Sequence, residues 1–470
     1  MKTKGKTTPQ SRASTVLGSI IFHSLLVLIL LLATPYGIVN PWRGVAETVF
    51  ECGVFALSIL WMAEGLLGGG WVNRSHLLLA PVLLLAALAF VQTFPFGNSD
   101  AAPGVSAPVW HAVSFDPYES RLVGLKLLAY ALALGLLLRY ATTASRLRTL
   151  VLFVIGVAVA SALFAIVRQA VQRGAPEFLF PSVRLNRGYG QFVNRNHFAY
   201  LMEMALGLVL GLIAAGRRRD RMLVYLAAAV PLWTALVLSN SRGGVLAMLC
   251  QLILLALTFA YARGRDERRA SSAGALGRLA QLRAVRFALG GALLAAALVG
   301  IVWVGGEQIV GRFETLPDEV SAGAAESDPG VSRREIWATT VRMIKDHPLA
   351  GVGLGGYWTA VPQYHNASGK MTPQQAHNDY LELLAAGGVV GLLLGAWFVF
   401  LLLKFTRPPL RSADTFRRAS CFGALLGLFG VAVHSLVDFG LHIPVNALIC
   451  LALVAIAAAE KSLTPSPERQ

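Results

Sequence analysis

The stretch DYLELLAAGGVVGLLLGAWFVFLLLKF, residues 379–405, decides what kind of molecule this is. From Leu383 to Leu403 it carries no charge, and a helix of that length, rising about 1.5 Å per residue, crosses a hydrocarbon core of about 30 Å. A polar segment, His377-Asn378-Asp379-Tyr380-Leu381-Glu382, leads into it, and a basic one, Lys404 to Arg418, follows. The same pattern recurs along the chain. Apolar runs of about 18 to 22 residues begin near Thr15, Val45, His76, Arg121, Arg148, His197, Met222, Gly243, Phe287, Asp379, Ala419 and Val445. With 55% hydrophobic and 14% charged residues over 470 positions, against roughly one quarter charged in soluble domains, the chain reads as an all-α polytopic membrane protein of about twelve transmembrane helices. The first run lacks a small-residue cleavage site and is expected to stay as a span.

The net charge of +16 could point to a polyanion, but its placement points to topology. Basic residues crowd the N-terminal tail (Lys2, Lys4, Lys6, Arg12), Arg139 to Arg148, Arg217-Arg218-Arg219, Arg263 to Arg286, Lys404 to Arg418 and the C-terminal tail. With twelve spans all of these fall on one side, which the positive-inside rule makes the cytoplasm. The expected division is a cytoplasmic tail over 1–12, helices 1–9 over 13–306, a periplasmic loop over 307–378, helices 10–12 over 379–460 and a cytoplasmic tail over 461–470. No nucleic-acid partner is expected. Cys52, Cys250, Cys421 and Cys450 all lie in apolar runs and read as small packing residues rather than as a disulfide or zinc framework.

The outward segments carry the unusual residues. Gly190-Gln191-Phe192-Val193-Asn194-Arg195-Asn196-His197 keeps an arginine where the charge rule disfavours one, and Ser239-Asn240-Ser241-Arg242-Gly243-Gly244 sits at an outer mouth between two spans. Ser332 to Asp346 reads as an amphipathic surface helix, with Ile336, Trp337, Val341 and Ile344 on one face and Arg333, Arg334, Arg342 and Lys345 between them. Pro348 ends it, and Gly351-Val352-Gly353-Leu354-Gly355-Gly356 reads as a flexible turn, since no strand precedes it to make a dinucleotide fingerprint. In the last turn His434 and Asp438 are four residues apart and are expected to pair on one helical face.

These segments, in this order, resemble the O-antigen ligase and polymerase superfamily of bacterial membrane glycosyltransferases. The resemblance covers mainly Gly188 to Asn446. It rests on Ser241-Arg242-Gly243, on Arg333 to Gly356 with its Arg-x-Glu-Ile-Trp and His-Pro-Leu-Ala-Gly-Val-Gly, and on His377-Asn378-Asp379-Tyr380-Leu381-Glu382. It implies a GT-C-type architecture with the long periplasmic loop between helices 9 and 10 lying over the active site. The implied donor is a glycan on undecaprenyl pyrophosphate, and the implied acceptor is a sugar hydroxyl of lipid A core or of another glycan. Arg242 and Arg333 match the pyrophosphate-holding arginines and His377 the catalytic base. Arg334 beside Arg333 leaves the second clamp open by one residue.

The chemistry suits these residue types. Charge grows on the leaving pyrophosphate, and a planar guanidinium meets phosphate oxygens at two points while staying ionised near lipid. The acceptor hydroxyl needs a base, and His377, at a helix start where the dipole disfavours the imidazolium, fits that role. Arg195, flanked by asparagines, joins the candidate donor ligands, while Ser241, Asn378, Asp379, Asn194, His197, His434 and Asp438 are candidate supporting residues. No Asp-x-Asp pair occurs, so transfer without a metal or other cofactor is expected, and a base acting on the acceptor with direct displacement of the pyrophosphate would invert the anomeric carbon, as the resemblance also implies. Ligase and polymerase share the donor site and both remain open. The alternative from another class is a small-anion transporter, which should show polar residues or broken helices at the bilayer midplane.

Overall fold

The computed structural model describes residues 9–33, 40–68, 74–99, 109–171, 188–215, 219–266, 333–365 and 373–459. Its helices are α1 (Pro9–Ala33), α2 (Asn40–Gly68), α3 (Leu79–Val91, after a 3-10 turn at Arg74–Leu78), α4 (Pro117–Tyr140), α5 (Ala144–Val171), α6 (Arg195–Ala215), α7 (Arg219–Leu238) and α8 (Arg242–Asp266). They continue as α9 (Arg333–Asp346), α10 (Tyr357–Tyr364), α11 (Asp379–Leu410), α12 (Thr415–His434) and α13 (Pro444–Ala458). Among the described residues nine helices are long and apolar enough to cross a membrane, with shorter apolar stretches at Met222–Leu238 and Pro444–Ala458. The chain is a multi-pass helical membrane protein. The span expected near Phe287, and the loop up to Ser332, lie outside the described residues. The all-α expectation needs one amendment: β1 (Pro95–Ser99) and β2 (Val109–Ala112) form a small antiparallel ribbon joining α3 to α4.

The centre of the bundle is the antiparallel pair α6 and α12. Gly207 and Gly211 on α6 face Gly427 and Gly423 on α12, so close that a Cβ on Gly211 would lie 2.1 Å from the Gly423 Cα. Between membrane helices, where burying apolar surface gains nothing over lipid, such small-residue stripes let backbones touch and dispersion hold them. Leu201, Met204, Ala205 and Leu208 fill the core around α6, and an element apolar on every side belongs in the interior.

At the end of the bundle where α12 begins, Arg417 closes two helix ends. Its guanidinium donates to Ala459 O (2.6 Å) after α13 and to Thr142 O (2.9 Å) after α4. Carbonyls at helix C-termini lack intrahelical partners, and a buried cation satisfies them. Arg417→Met is therefore expected to cost about 2–3 kcal/mol through two lost charge-assisted hydrogen bonds. A detergent-solubilised melting curve shifted down by several degrees checks this, and an unchanged curve contradicts it.

The glycine run is not a loose turn. Helix α11 breaks at Gly388 (φ 62°, ψ −164°), and residues 348–353 fill the break. Val389 N and Val390 N donate to Pro348 O and Leu349 O, while Val352 N and Gly353 N donate to Ala385 O and Ala386 O. Gln92, just after α3, locks both parts together: its amide donates to Ala350 O (2.6 Å) and Ala386 O (2.9 Å) and accepts from Leu354 N (3.0 Å). These bonds give backbone groups freed by the break new partners, as non-helical backbone buried at membrane depth requires. Gly351 and Gly353 have positive φ, and a Cβ on Gly353 would lie 2.2 Å from Ser114 Oγ.

Helix α9 forms where the periodicity predicts it, but its buried face is Ile336, Thr339, Thr340 and Met343. Val341, on the apolar face expected of a surface helix, is exposed. The rotation follows from polar neighbours: Thr340 Oγ1 donates to Ile336 O (2.8 Å) and hydrogen-bonds the Tyr357 hydroxyl of α10 (2.7 Å), so threonines face the protein rather than solvent. All four cysteines are free; Cys250 and Cys421 are buried, and Cys52 is exposed on α2 rather than packed.

Candidate functional site

Four segments distant in sequence meet at the end of the bundle where α6, α8 and α11 start. Asn194 opens α6, its side chain accepting from Asn196 N (2.8 Å), which satisfies one of the helix's unpaired N–H groups. Arg195, partly buried, is the first residue of the helix, and Asn196 and His197 follow it into the site. Ser241 opens α8 in the same manner, with Oγ accepting from Gly244 N (3.2 Å) and donating to Asn196 Oδ1 (2.9 Å). Asn240 takes φ 55° to make the turn, and Arg242 is the first residue of α8, half-buried.

The third segment is the entry to α11. Asn378 is its N-cap, accepting from Tyr380 N and Leu381 N at 3.0 Å each, and its amide donates to Leu436 O (2.8 Å). His377 stands just before the cap at φ 51°, a conformation that few side-chain-bearing residues adopt without support. The support comes from both sides of Ala376: Trp337 Nε1 of α9 donates to its carbonyl (3.0 Å), and its N–H donates to Glu382 Oε2 (2.7 Å). Helix α9 therefore presents Arg333 and also pins the backbone that presents His377.

Asp438, in the turn after α12, is where these segments converge. Its Oδ1 is 3.5 Å from His377 Nδ1 and 3.9 Å from His197 Nε2, its Oδ2 is 3.8 Å from the Arg333 guanidinium, and the Asn196 amide donates to Oδ2. Burial by itself would raise this carboxyl. The close approach of His377, the charges that His197 and His377 carry when protonated, and the Arg333 guanidinium outweigh burial and hold it well below the usual carboxylate range. Asp438 is thus anionic throughout the physiological range. Phe439, next in sequence, lies edge-on between the rings of His197 (4.8 Å) and His377 (4.7 Å) and fixes both.

Beside this centre lies a second group of polar side chains. Ser435 Oγ donates to Asp379 Oδ2 (2.6 Å), and His442 Nε2 stands 3.7 Å from Asp379 and 3.3 Å from Glu382. The expected pair of His434 and Asp438 does not form between side chains. Helix α12 ends at His434, so Asp438 lies beyond the helical register and turns to Asn196 and His377, while His434 faces Glu203 of α6 (3.0 Å). Of the two adjacent arginines, Arg333 points at Asp438 and Arg334 is exposed.

The sequence reading places Asp438 and His197 among supporting residues and gives no role at the site to Asn196, Trp337, Phe439 and His442. Asn196 sits within the flagged Asn194-Arg195-Asn196 run, so a signal was present; Trp337 and Phe439 look like ordinary apolar positions until their partners are known.

Chemically the arrangement offers a histidine oriented by a carboxylate, with Nε2 on the opposite edge of the ring, and cationic side chains carried by α8 and α9. No curated protein matches the chain. Residues 227–396 match the family model described as O-antigen ligase, a stretch that carries Ser241, Arg242, Arg333, His377 and Asp379 and ends before Asp438. Activity of ligase or polymerase type, with a lipid-linked glycan and an acceptor as partners, is what this match implies. Through that segment the chain is similar to the O-antigen ligase family.

Proposed function

We propose that the chain is an O-antigen ligase-type glycosyltransferase that moves a glycan from undecaprenyl pyrophosphate to a sugar hydroxyl of lipid A core. One observation carries this: His377 and Arg333 converge on Asp438, which Asn196 ties to the Ser241-Arg242 turn. In the reaction His377 Nε2 takes the acceptor's hydroxyl proton, the oxygen attacks the anomeric carbon, and the bond from that carbon to the phosphate oxygen breaks. Undecaprenyl pyrophosphate departs with the bonding pair. Arg242 and Arg333 meet the charge it gains, and Asp438 holds the imidazole and stabilises it once protonated. A single displacement of this kind inverts the anomeric centre. The charge asymmetry of the loops supports a site at the periplasmic face of the bacterial inner membrane.

Arg242→Lys is expected to lower transfer by about 10²-fold, because a point charge replaces a two-pronged donor at a phosphate. Assay of the purified chain with lipid-linked donor reads this, and full activity with lysine would remove Arg242 from the clamp. Deletion of the gene separates ligase from polymerase: long glycan accumulating on the lipid carrier with none on lipid A core supports the ligase, whereas single repeat units on the carrier overturn it in favour of the polymerase.

A further inference from the structure

Beneath the site, Glu203 and His434 form an ionisable pair between α6 and α12, both fully buried, with His434 Nδ1 3.0 Å from Glu203 Oε2. Glu203 lies seven residues past Asn196, about 10 Å further along α6. Burying such a pair costs desolvation that apolar side chains of similar size would not incur. An ionisable residue inside a membrane bundle therefore asks for a role.

The geometry around the imidazole gives one. Tyr200 stacks on its face, with centroids 4.0 Å apart and planes 17° from parallel, and Glu203 holds Nδ1. The opposite edge is pressed against Gly243: a Cβ on that glycine would fall 2.5 Å from His434 Nε2 and 2.6 Å from Cδ2. Gly243 is the residue after Arg242, in the first turn of α8. On the adjoining face of α8, Gly244 is equally tight against Ala199, where a Cβ would come within 2.6 Å of the Ala199 Cβ. Deeper in the bundle Gln251 of α8 donates to Glu203 O (3.1 Å) and Leu426 O (3.0 Å). The start of α8 is thereby seated against a ring whose own orientation is fixed by a carboxylate and an aromatic face.

We infer that Glu203 and His434 are positioning residues for Arg242: Glu203 orients the imidazole, the imidazole edge seats Gly243, and the seat sets where Arg242 meets the donor's pyrophosphate. This rests on the reading of Arg242 as a donor ligand. Neither residue touches substrate, so both act through the helix start.

The test uses the full chain in nanodiscs, with undecaprenyl pyrophosphate as the binding probe and transfer kinetics as the second readout. Gly243→Ala is expected to weaken probe binding and to lower kcat/KM for the donor by about tenfold, because a displaced Arg242 meets the bound pyrophosphate and the charge it gains less well, with acceptor KM within about twofold. A merely structural defect would instead lower the active fraction and leave the probe affinity of the folded fraction unchanged. In a background lacking the ring, Glu203→Gln with His434→Ala, the same Gly243→Ala change is expected to cost less than about twofold, since the clash is gone. Equal penalties with and without the ring overturn the proposal. Should that background not fold, a Gly243→Ala chain that binds the probe as tightly as wild type overturns it equally. Failure of the wild-type chain to bind the probe removes the donor reading, and this proposal with it.

Discussion

His377→Ala is expected to abolish glycan transfer, with a loss of about 10² to 10⁴-fold, the range that a positioned general base contributes. Folding should survive, because the imidazole packs on Phe439 and faces Asp438, whose carboxylate keeps Asn196, Arg333 and the Phe439 N–H. Donor binding should survive too, since the arginines of α8 and α9 are untouched. Asp438→Asn is the companion variant. It keeps the shape but removes the charge that stabilises protonated His377, and an amide can present its NH₂ to the ring and turn it the wrong way. Transfer with purified chain and lipid-linked donor, together with a melting curve, reads both. Normal surface polysaccharide in a strain carrying only His377→Ala would refute the base.

The second large effect concerns adjacent glycines that look alike. Gly388→Ala is expected to destabilise the chain by at least about 3 kcal/mol, combining backbone strain of about 1–3 kcal/mol with a steric clash. Its φ of 62° with ψ of −164° is a region that side-chain-bearing residues rarely adopt, and a Cβ there would lie 2.2 Å from Leu349 O, a backbone atom with no freedom to retreat. Gly387→Ala should cost under about 1 kcal/mol, for its Cβ first meets Leu354 Cδ2 at 3.4 Å and alanine favours helix. Yield of monodisperse protein and melting temperature separate the two. Equal behaviour would mean that the break in α11 does not depend on glycine.

Much of the fold was legible because its signals are local. Hydropathy runs locate spans, so helices beginning at Arg195, Arg242 and Asp379 start within a few residues of where the apolar runs do. Asn378 and Asp414, residue types that favour the position, cap α11 and α12. What escaped is what depends on partners far along the chain. The segment 351–356 looks flexible by its glycines, and only Gln92 and Ala385–Ala386, distant in sequence, show it to be locked. Asp438 looked like a partner for His434 because a continuous helix would stack them; the helix stops at His434, and a one-turn error in its end redirects the carboxylate to three other segments. Period likewise gave the existence of α9 and not its rotation, since the tyrosine hydroxyl that draws Thr340 inward is 17 residues away.

The break at Gly388 also constrains how the chain assembles. A continuous apolar helix can leave the translocation machinery with its backbone already satisfied, but the upper part of α11 leaves with carbonyls and N–H groups bare until Pro348–Gly353 and Gln92 arrive. Residues 348–353 are synthesised before α11, and Gln92 long before that, so the pieces are ready in the right order. Insertion of this helix is then tied to the shaping of the preceding loop, and a fault in that loop would register as a biogenesis defect rather than as a catalytic one.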